Sequence, residues 1–173
     1  MVIWLIGMSG SGKTTIGKEL FQKMQATKPN TVLIDGDQIR EIFKHDKGDA
    51  PYTISGRRAN AERIQALCYW LEQQGIDVVC CILSLFQDIQ DNNRRKFSEY
   101  HEVFVDSPIE TLIKRDNKGL YQSALSGEQT NVVGIDIPYT PPASPDLIIN
   151  NSYQQQDIGK YVEEIITRCE LTK

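Results

Sequence analysis

No run of about 20 apolar residues occurs in the 173-residue chain, which excludes a membrane-spanning helix. No basic residue precedes the opening apolar run "VIWLI" and no cleavage-like segment follows it, so no secretory leader is expected and a cytoplasmic location is. Basic charge is not in excess either. Nineteen Lys and Arg face 23 Asp and Glu, a net charge of −4, and without an overall basic field neither a nucleic-acid polymer nor a membrane is an expected partner. A small nucleotide needs only a local cluster and stays open. His45 and His101 stand alone, without metal-ligand spacing. Cysteine is scarce: Cys80 and Cys81 are adjacent inside "VVCCIL", where a strand would point them to opposite faces, and Cys68 and Cys169 fall on helix-like stretches. Buried thiols, not a disulfide or a zinc site, are expected from that spacing. No internal repeat or low-complexity tract is present.

With 40% hydrophobic residues, the chain can build one complete core, so residues 1–173 read as a single domain. Strand-like runs at 2–6, 31–34, 77–83, 101–105 and 147–149 alternate with helix-like stretches at 13–26, 38–43, 57–74, 89–98, 108–115 and 155–169. That alternation predicts an α/β fold with a parallel sheet of about five strands and helices on both faces. Ser107, Pro108 and Glu110 fit a capped helix start with a capping box. Residues 116–145, "DNKGLYQSALSGEQTNVVGIDIPYTPPASP", lose the periodicity, and an irregular stretch of that length inside a domain predicts a lid.

The stretch "GMSGSGKT", Gly7 to Thr14, matches G-x-x-x-x-G-K-[ST], between a strand and a helix. Glycines let successive backbone N–H groups turn inward and the helix N-terminus adds positive potential, so the loop can cradle phosphates. Lys13 would reach the outer phosphates and Thr14 would ligate Mg²⁺. A plain flexible turn is the alternative, and the placement argues against it. "LIDGDQIR" puts Asp35 and Asp37 at the carboxyl end of a neighbouring strand, where they can orient Mg²⁺ or take a proton, or else cap a helix. Arg57 and Asn60, three apart, share a helical face and can point to one ligand. Arg40, Arg58 and Arg63 lie nearby, and solvated surface arginines are the competing explanation. Tyr52 offers a stacking ring or an ordinary packing aromatic. Lys118 sits where a closing lid would bring it to transferring phosphates.

Together "WLIGMSGSGKTT", "DGDQIR", "FVDSPIETLIKRDNKGLY", "GIDIPY" and "PPASPDLIIN" resemble the adenylylsulfate kinases, through nearly the whole chain. The resemblance implies a P-loop kinase fold and transfer of the ATP γ-phosphate to the ribose 3′-hydroxyl of a nucleotide. It implies ATP on Ser9, Gly10, Ser11, Gly12, Lys13, Thr14 and Thr15 with Arg115 against the base, and Mg²⁺ on Thr14 supported by Asp37. Asp35 is implied as the residue that orients or deprotonates the acceptor hydroxyl. Arg40, Tyr52, Arg57, Asn60, Ser84, Leu85, Lys118, Gly119 and Leu120 fall on acceptor positions, with Lys13, Asp35, Asp37 and Lys118 as the catalytic set. Subunit pairing is frequent in the family, which implies a homodimer.

Departures from the family pattern fall on the acceptor side. Gln87 stands where the pattern has arginine, Glu62 replaces another arginine, Gln122 and Leu125 replace basic residues, and Val132 occupies the place of a lid aromatic that would sandwich adenine with Tyr52. These changes open two acceptors: adenylylsulfate itself, or a cytidine nucleotide such as that of the cytidine diphosphoramidate kinases of capsule modification. A non-catalytic nucleotide-binding module and a small-metabolite kinase are the rivals from other classes. A guanine-specific switch is disfavoured because "NKGL" lacks the aspartate of N-K-x-D.

Overall fold

The computed structural model describes residues 1–116, 119–151 and 157–169. Five strands, β1 (Val2–Ile6), β2 (Thr31–Asp35), β3 (Asp77–Ile82), β4 (Tyr100–Asp106) and β5 (Leu147–Asn150), form one parallel sheet in the order β2-β3-β1-β4-β5. The helices are α1 (Lys13–Thr27), α2 (Gly36–Ile42), α3 (Ile54–Glu72), α4 (Gln87–Lys96), α5 (Ile109–Arg115), α6 (Leu120–Leu125) and α7 (Ile158–Arg168), with a 3-10 turn at Ala50–Tyr52.

Strand periodicity sorts the core into two layers. Ile3, Leu5, Val79, Cys81, Val103, Val105 and Ile149 pack against Ile16 and Leu20 of α1 and Val162 and Ile165 of α7. Val2, Trp4, Ile6, Val78, Cys80 and Ile82 face Ile64 and Cys68 of α3 and Ile89 of α4. Cys80 and Cys81 do point to opposite faces, and all four cysteines are free and buried. β1 is buried at every position because it lies between β3 and β4 with helices above and below. The chain reaches β2 and β3 on one side of β1 and β4 and β5 on the other, so the strands' carboxyl ends open a crevice beside β1, where α/β sheets place ligands.

Three expectations need correction. The helix at 108–115 begins at Ile109: Pro108 keeps an extended ψ of 136°, no side chain caps the helix, and the Ser107 hydroxyl donates to the Asp106 carbonyl at 2.8 Å. The second helix starts at Gly36, two residues earlier than its pattern, because Asp35 caps it. The stretch after α5 is less irregular than its composition: it contains α6, and Tyr121 and Val132 close a small third cluster around Leu112. No described helix is long and apolar enough to cross a membrane.

Candidate active site

β1 ends at Ile6 and the chain turns through Gly7–Gly12 into α1. A Cβ on Gly7 would lie 2.5 Å from the Val105 carbonyl and 2.6 Å from Ser11 Oγ, so only glycine fits against β4. Gly12 has φ 96°, and the amide of Asn151 occupies the space its side chain would need. That amide donates from Nδ2 to the Ser11 carbonyl at 2.8 Å, while the Tyr121 hydroxyl donates to the Ser9 carbonyl at 2.8 Å. The loop is thus held from beneath by the residue after β5 and from above by α6. Lys13 is nearly buried and its Nζ donates to the Met8 carbonyl at 2.7 Å and to Ser11 Oγ at 3.4 Å.

Next to the loop, the Thr14 hydroxyl donates to Asp35 Oδ2 at 2.7 Å, and Asp35 Oδ1 accepts the Asp37 N–H at 2.9 Å. Asp35 therefore caps α2, as the turn reading expects, and its other carboxylate oxygen lies against Thr14 of the loop. Asp37 in turn pairs with Arg40 Nη1 at 3.0 Å. The guanidinium carbons of Arg40 and Arg57 stand 5.3 and 5.8 Å from the Tyr52 ring centroid. Burial and the neighbouring Arg40 charge lower the Arg57 pKa, against the pull of Asp37, Tyr52 and Asp136. Two cations stand near one ring, and Asp37 is hydrogen-bonded to Arg40 but not to Arg57, an arrangement that can receive an anionic ligand. Burial and the Asp35 charge push the thiol of Cys81, on β3, up to about 12, so it remains protonated.

Two cavities of about 340 Å³ each share residues of the loop in their walls. Asp35, Asp37, Arg40, Tyr52 and Arg57 line the first, and Gly12, Thr15, Arg115 and Tyr121 line the second. Ser9, Gly10, Lys13, Thr14 and Leu120 line both. The Thr14 hydroxyl and the Asp35 and Asp37 carboxylates offer hard oxygen donors at that junction, a set that suits a divalent cation whose other ligands are phosphates and water. Among the described residues no cluster of three or more His, Cys, Asp or Glu side chains is placed to hold a metal ion.

Other sequence-predicted residues lie elsewhere. Asn60 does not share the cavity with Arg57: it is buried and donates to the Gly36 carbonyl at 3.2 Å, bracing α2 on α3. Ser84 is buried and its Oγ accepts from Gln90 at 3.1 Å, while Leu85 packs against the α3 core. Gly119 supplies a left-handed turn before α6, and Ser11 is buried beneath the loop; neither lines a cavity. Arg58 turns to Asp88 and stacks on Phe86, and Arg63 stacks on Phe43. Lys118 lies outside the described residues.

The departure positions are likewise displaced from the first cavity. Val132 is buried with Leu112 and Tyr121, Gln87 accepts the Ala143 N–H at 3.2 Å, and Glu62 approaches Arg58. Facing the cavity instead are Gln129, Asn131 and Val133, which the sequence did not single out. The only available signal was their position just ahead of "GIDIPY". Asp136, inside that string, was missed as well: its carboxylate accepts the N–H groups of Asn131 and Val132, each at 2.6 Å.

A sequence profile described as Adenylylsulphate kinase matches residues 1–150. The chain is 39% identical over 170 residues to the cytidine diphosphoramidate kinase of Campylobacter jejuni, covering 98% of this chain and 96% of that protein. It is 35% identical over 167 residues to a probable adenylyl-sulfate kinase of Pseudomonas aeruginosa, covering 96% of this chain and 76% of that protein. Among solved structures, the Mycobacterium tuberculosis APS kinase in complex with AMPPNP and APS superposes with a TM-score of 0.84 at 29% identity, covering 98% of this chain and 96% of that one.

Proposed function

We propose, from the premise that the chain belongs to the adenylylsulphate kinase family, that it transfers the γ-phosphate of ATP to the ribose 3′-hydroxyl of a cytidine nucleotide. The carrying observation is the shared wall: Lys13 and Thr14 line both cavities, and Asp35 lines only the first. Two substrates, one in each cavity, would meet at the phosphate loop, as in-line transfer requires. ATP would occupy the second cavity, with its phosphates on the backbone of Ser9 to Thr15 and its base toward Arg115. Thr14, with Asp35 and Asp37, would hold Mg²⁺, which supplies charge neutralisation at the phosphates.

Asp35 is fixed by the Thr14 hydroxyl and the Asp37 N–H, so its carboxylate is oriented before the acceptor arrives. It aims the acceptor hydroxyl and accepts its proton as the new O–P bond forms and the bond to ADP breaks. Lys13 moves from the Met8 carbonyl to the outer phosphate oxygens. Arg40 and Arg57 receive the acceptor's own anionic group, and Lys118 would arrive with the lid segment.

The base assignment has its own support. Among the described residues lining the first cavity, Tyr52 is the one aromatic, and the segment across from it contributes Gln129, Asn131 and Val133. A single aromatic ring, already approached by two guanidiniums and with amide groups across from it, suits a small base with a hydrogen-bonding edge better than a purine sandwiched between two rings. The relative from Campylobacter jejuni, named for a cytidine substrate, is similar over 98% of this chain.

The deciding measurement is ADP release from Mg-ATP with cytidine diphosphoramidate, adenylylsulfate or a sugar acid as acceptor, followed by NMR assignment of the phosphorylated position. The expected result is a 3′-phosphorylated cytidine nucleotide and a kcat/KM about tenfold or more above adenylylsulfate, the scale of one stacking contact. The opposite order would move the acceptor to adenylylsulfate, and transfer to none of the three would return the protein to the binding-module class.

A further inference from the structure

Asp136 lines neither cavity, yet its carboxylate organises the turn that does. Oδ2 accepts the Asn131 N–H and Oδ1 accepts the Val132 N–H, both at 2.6 Å. Asn131 sits at φ 63°, in the left-handed region that asparagine adopts more readily than most L-residues. Its carbonyl accepts from Arg57 Nη2 at 2.8 Å. The same guanidinium donates from Nε to the Tyr52 carbonyl at 2.7 Å, so Arg57 is clamped between the stacking aromatic and the turn. Among the described residues Nη1 is the one of its three nitrogens without a hydrogen bond, and the residue lines the first cavity.

We propose that Asp136 is a positioning residue for acceptor binding: by fixing the Asn131 carbonyl it orients Arg57 so that the Nη1 edge meets the anionic group of the acceptor nucleotide. The same clasp couples the lid segment to the acceptor cavity, because Arg57 cannot keep both carbonyls unless the turn stays in place. Burial opposes the Asp136 charge, yet the two N–H donors and Arg57 keep its pKa below the usual carboxylate range, so the clasp is charged at neutral pH. The assignment rests on the first cavity being the acceptor site, and the two can fail separately.

Asp136→Asn and Asp136→Ala test it, in the full chain and with whichever nucleotide the wild type phosphorylates best. Either variant should raise the acceptor KM about tenfold while the ATP KM moves less than about twofold, as expected for one mis-set charged contact. In an Arg57→Ala background the same substitutions should add nothing further to the acceptor KM, since they act through Arg57. Equal increases in both KM values, or full additivity with Arg57→Ala, would overturn the proposal. A readout independent of any acceptor is amide hydrogen exchange. Residues 53–58 should lose protection together with residues 128–137 if the clasp exists, and loss confined to 128–137 would overturn it even if no nucleotide in the panel is phosphorylated.

Discussion

Asp35 concentrates several demands on one side chain. It caps α2 through the Asp37 N–H, accepts the Thr14 hydroxyl and faces the first cavity. Asparagine caps a helix about as well as aspartate but cannot take a proton from an alcohol. Asp35→Asn should therefore leave thermal stability within about 1 kcal/mol of wild type and lower kcat by about 10²–10⁴-fold. Parallel melting and steady-state measurements separate the two effects, and near-normal kcat would remove Asp35 from proton transfer. Residue identity made this much legible, because a D-G-D after a strand carries its own signal. Arg57 and Arg58 show the opposite. They are identical and adjacent in sequence, and about 100° of helical rotation sends one to the cavity and the other to Asp88.

At the scale of elements, the phosphate loop is the part that local chemistry specified most fully. Its glycines are required by backbone geometry: Gly12 sits at φ 96° with the Asn151 amide against it. Gly12→Ala should cost about 1–2 kcal/mol from the left-handed backbone alone and should also displace Asn151 from the Ser11 carbonyl. The expected outcome is a lower melting temperature together with weakened ATP binding by calorimetry. Unchanged affinity would mean that the loop reshapes without its strap from β5. α6 was the least legible element, because six residues carry too little periodicity to announce a helix. Tyr121, anchored to Ser9 and packed on Leu112 and Val132, holds it. The capping box at Ser107 failed for a related reason: the sequence offered a cap, but the hydroxyl was already bonded to the Asp106 carbonyl.

Across the whole molecule, one charge cluster ties distant elements together. Glu102 on β4 is buried beneath Tyr100, pairs with Arg94 of α4 at 3.5 Å, and offers its backbone N–H to Asp146 ahead of β5. Arg168 of α7 donates to the Asp146 carbonyl. Burial raises the Glu102 pKa, with Tyr100 and Arg94 opposing. A carboxyl whose folded pKa lies above its unfolded value of about 4.3 holds its proton more tightly when folded, so its contribution is full below that value and falls as pH rises through the folded pKa. Glu102→Gln keeps the shape without the titration. The melting-temperature difference, variant minus wild type, should be more positive at pH 7 than at pH 4. A difference independent of pH would mean that Arg94 and Tyr100 fully compensate the burial.

The sequence by itself determined the five strands, the two-layered core, the phosphate loop and the position of the aspartate pair, because each is encoded within a few residues by period, turn chemistry or a fixed spacing. Tertiary structure alone decided which side chains share a cavity. Gln129, Asn131 and Val133 reach Tyr52 and Arg57 from some 70 residues away, while Asn60 and Ser84 are drawn into packing instead. That sorting depends on strand order, on the rotation of α3 and on the fold of the segment after α5. Those are set by the sum of contacts across the whole chain, and no local pattern carries them.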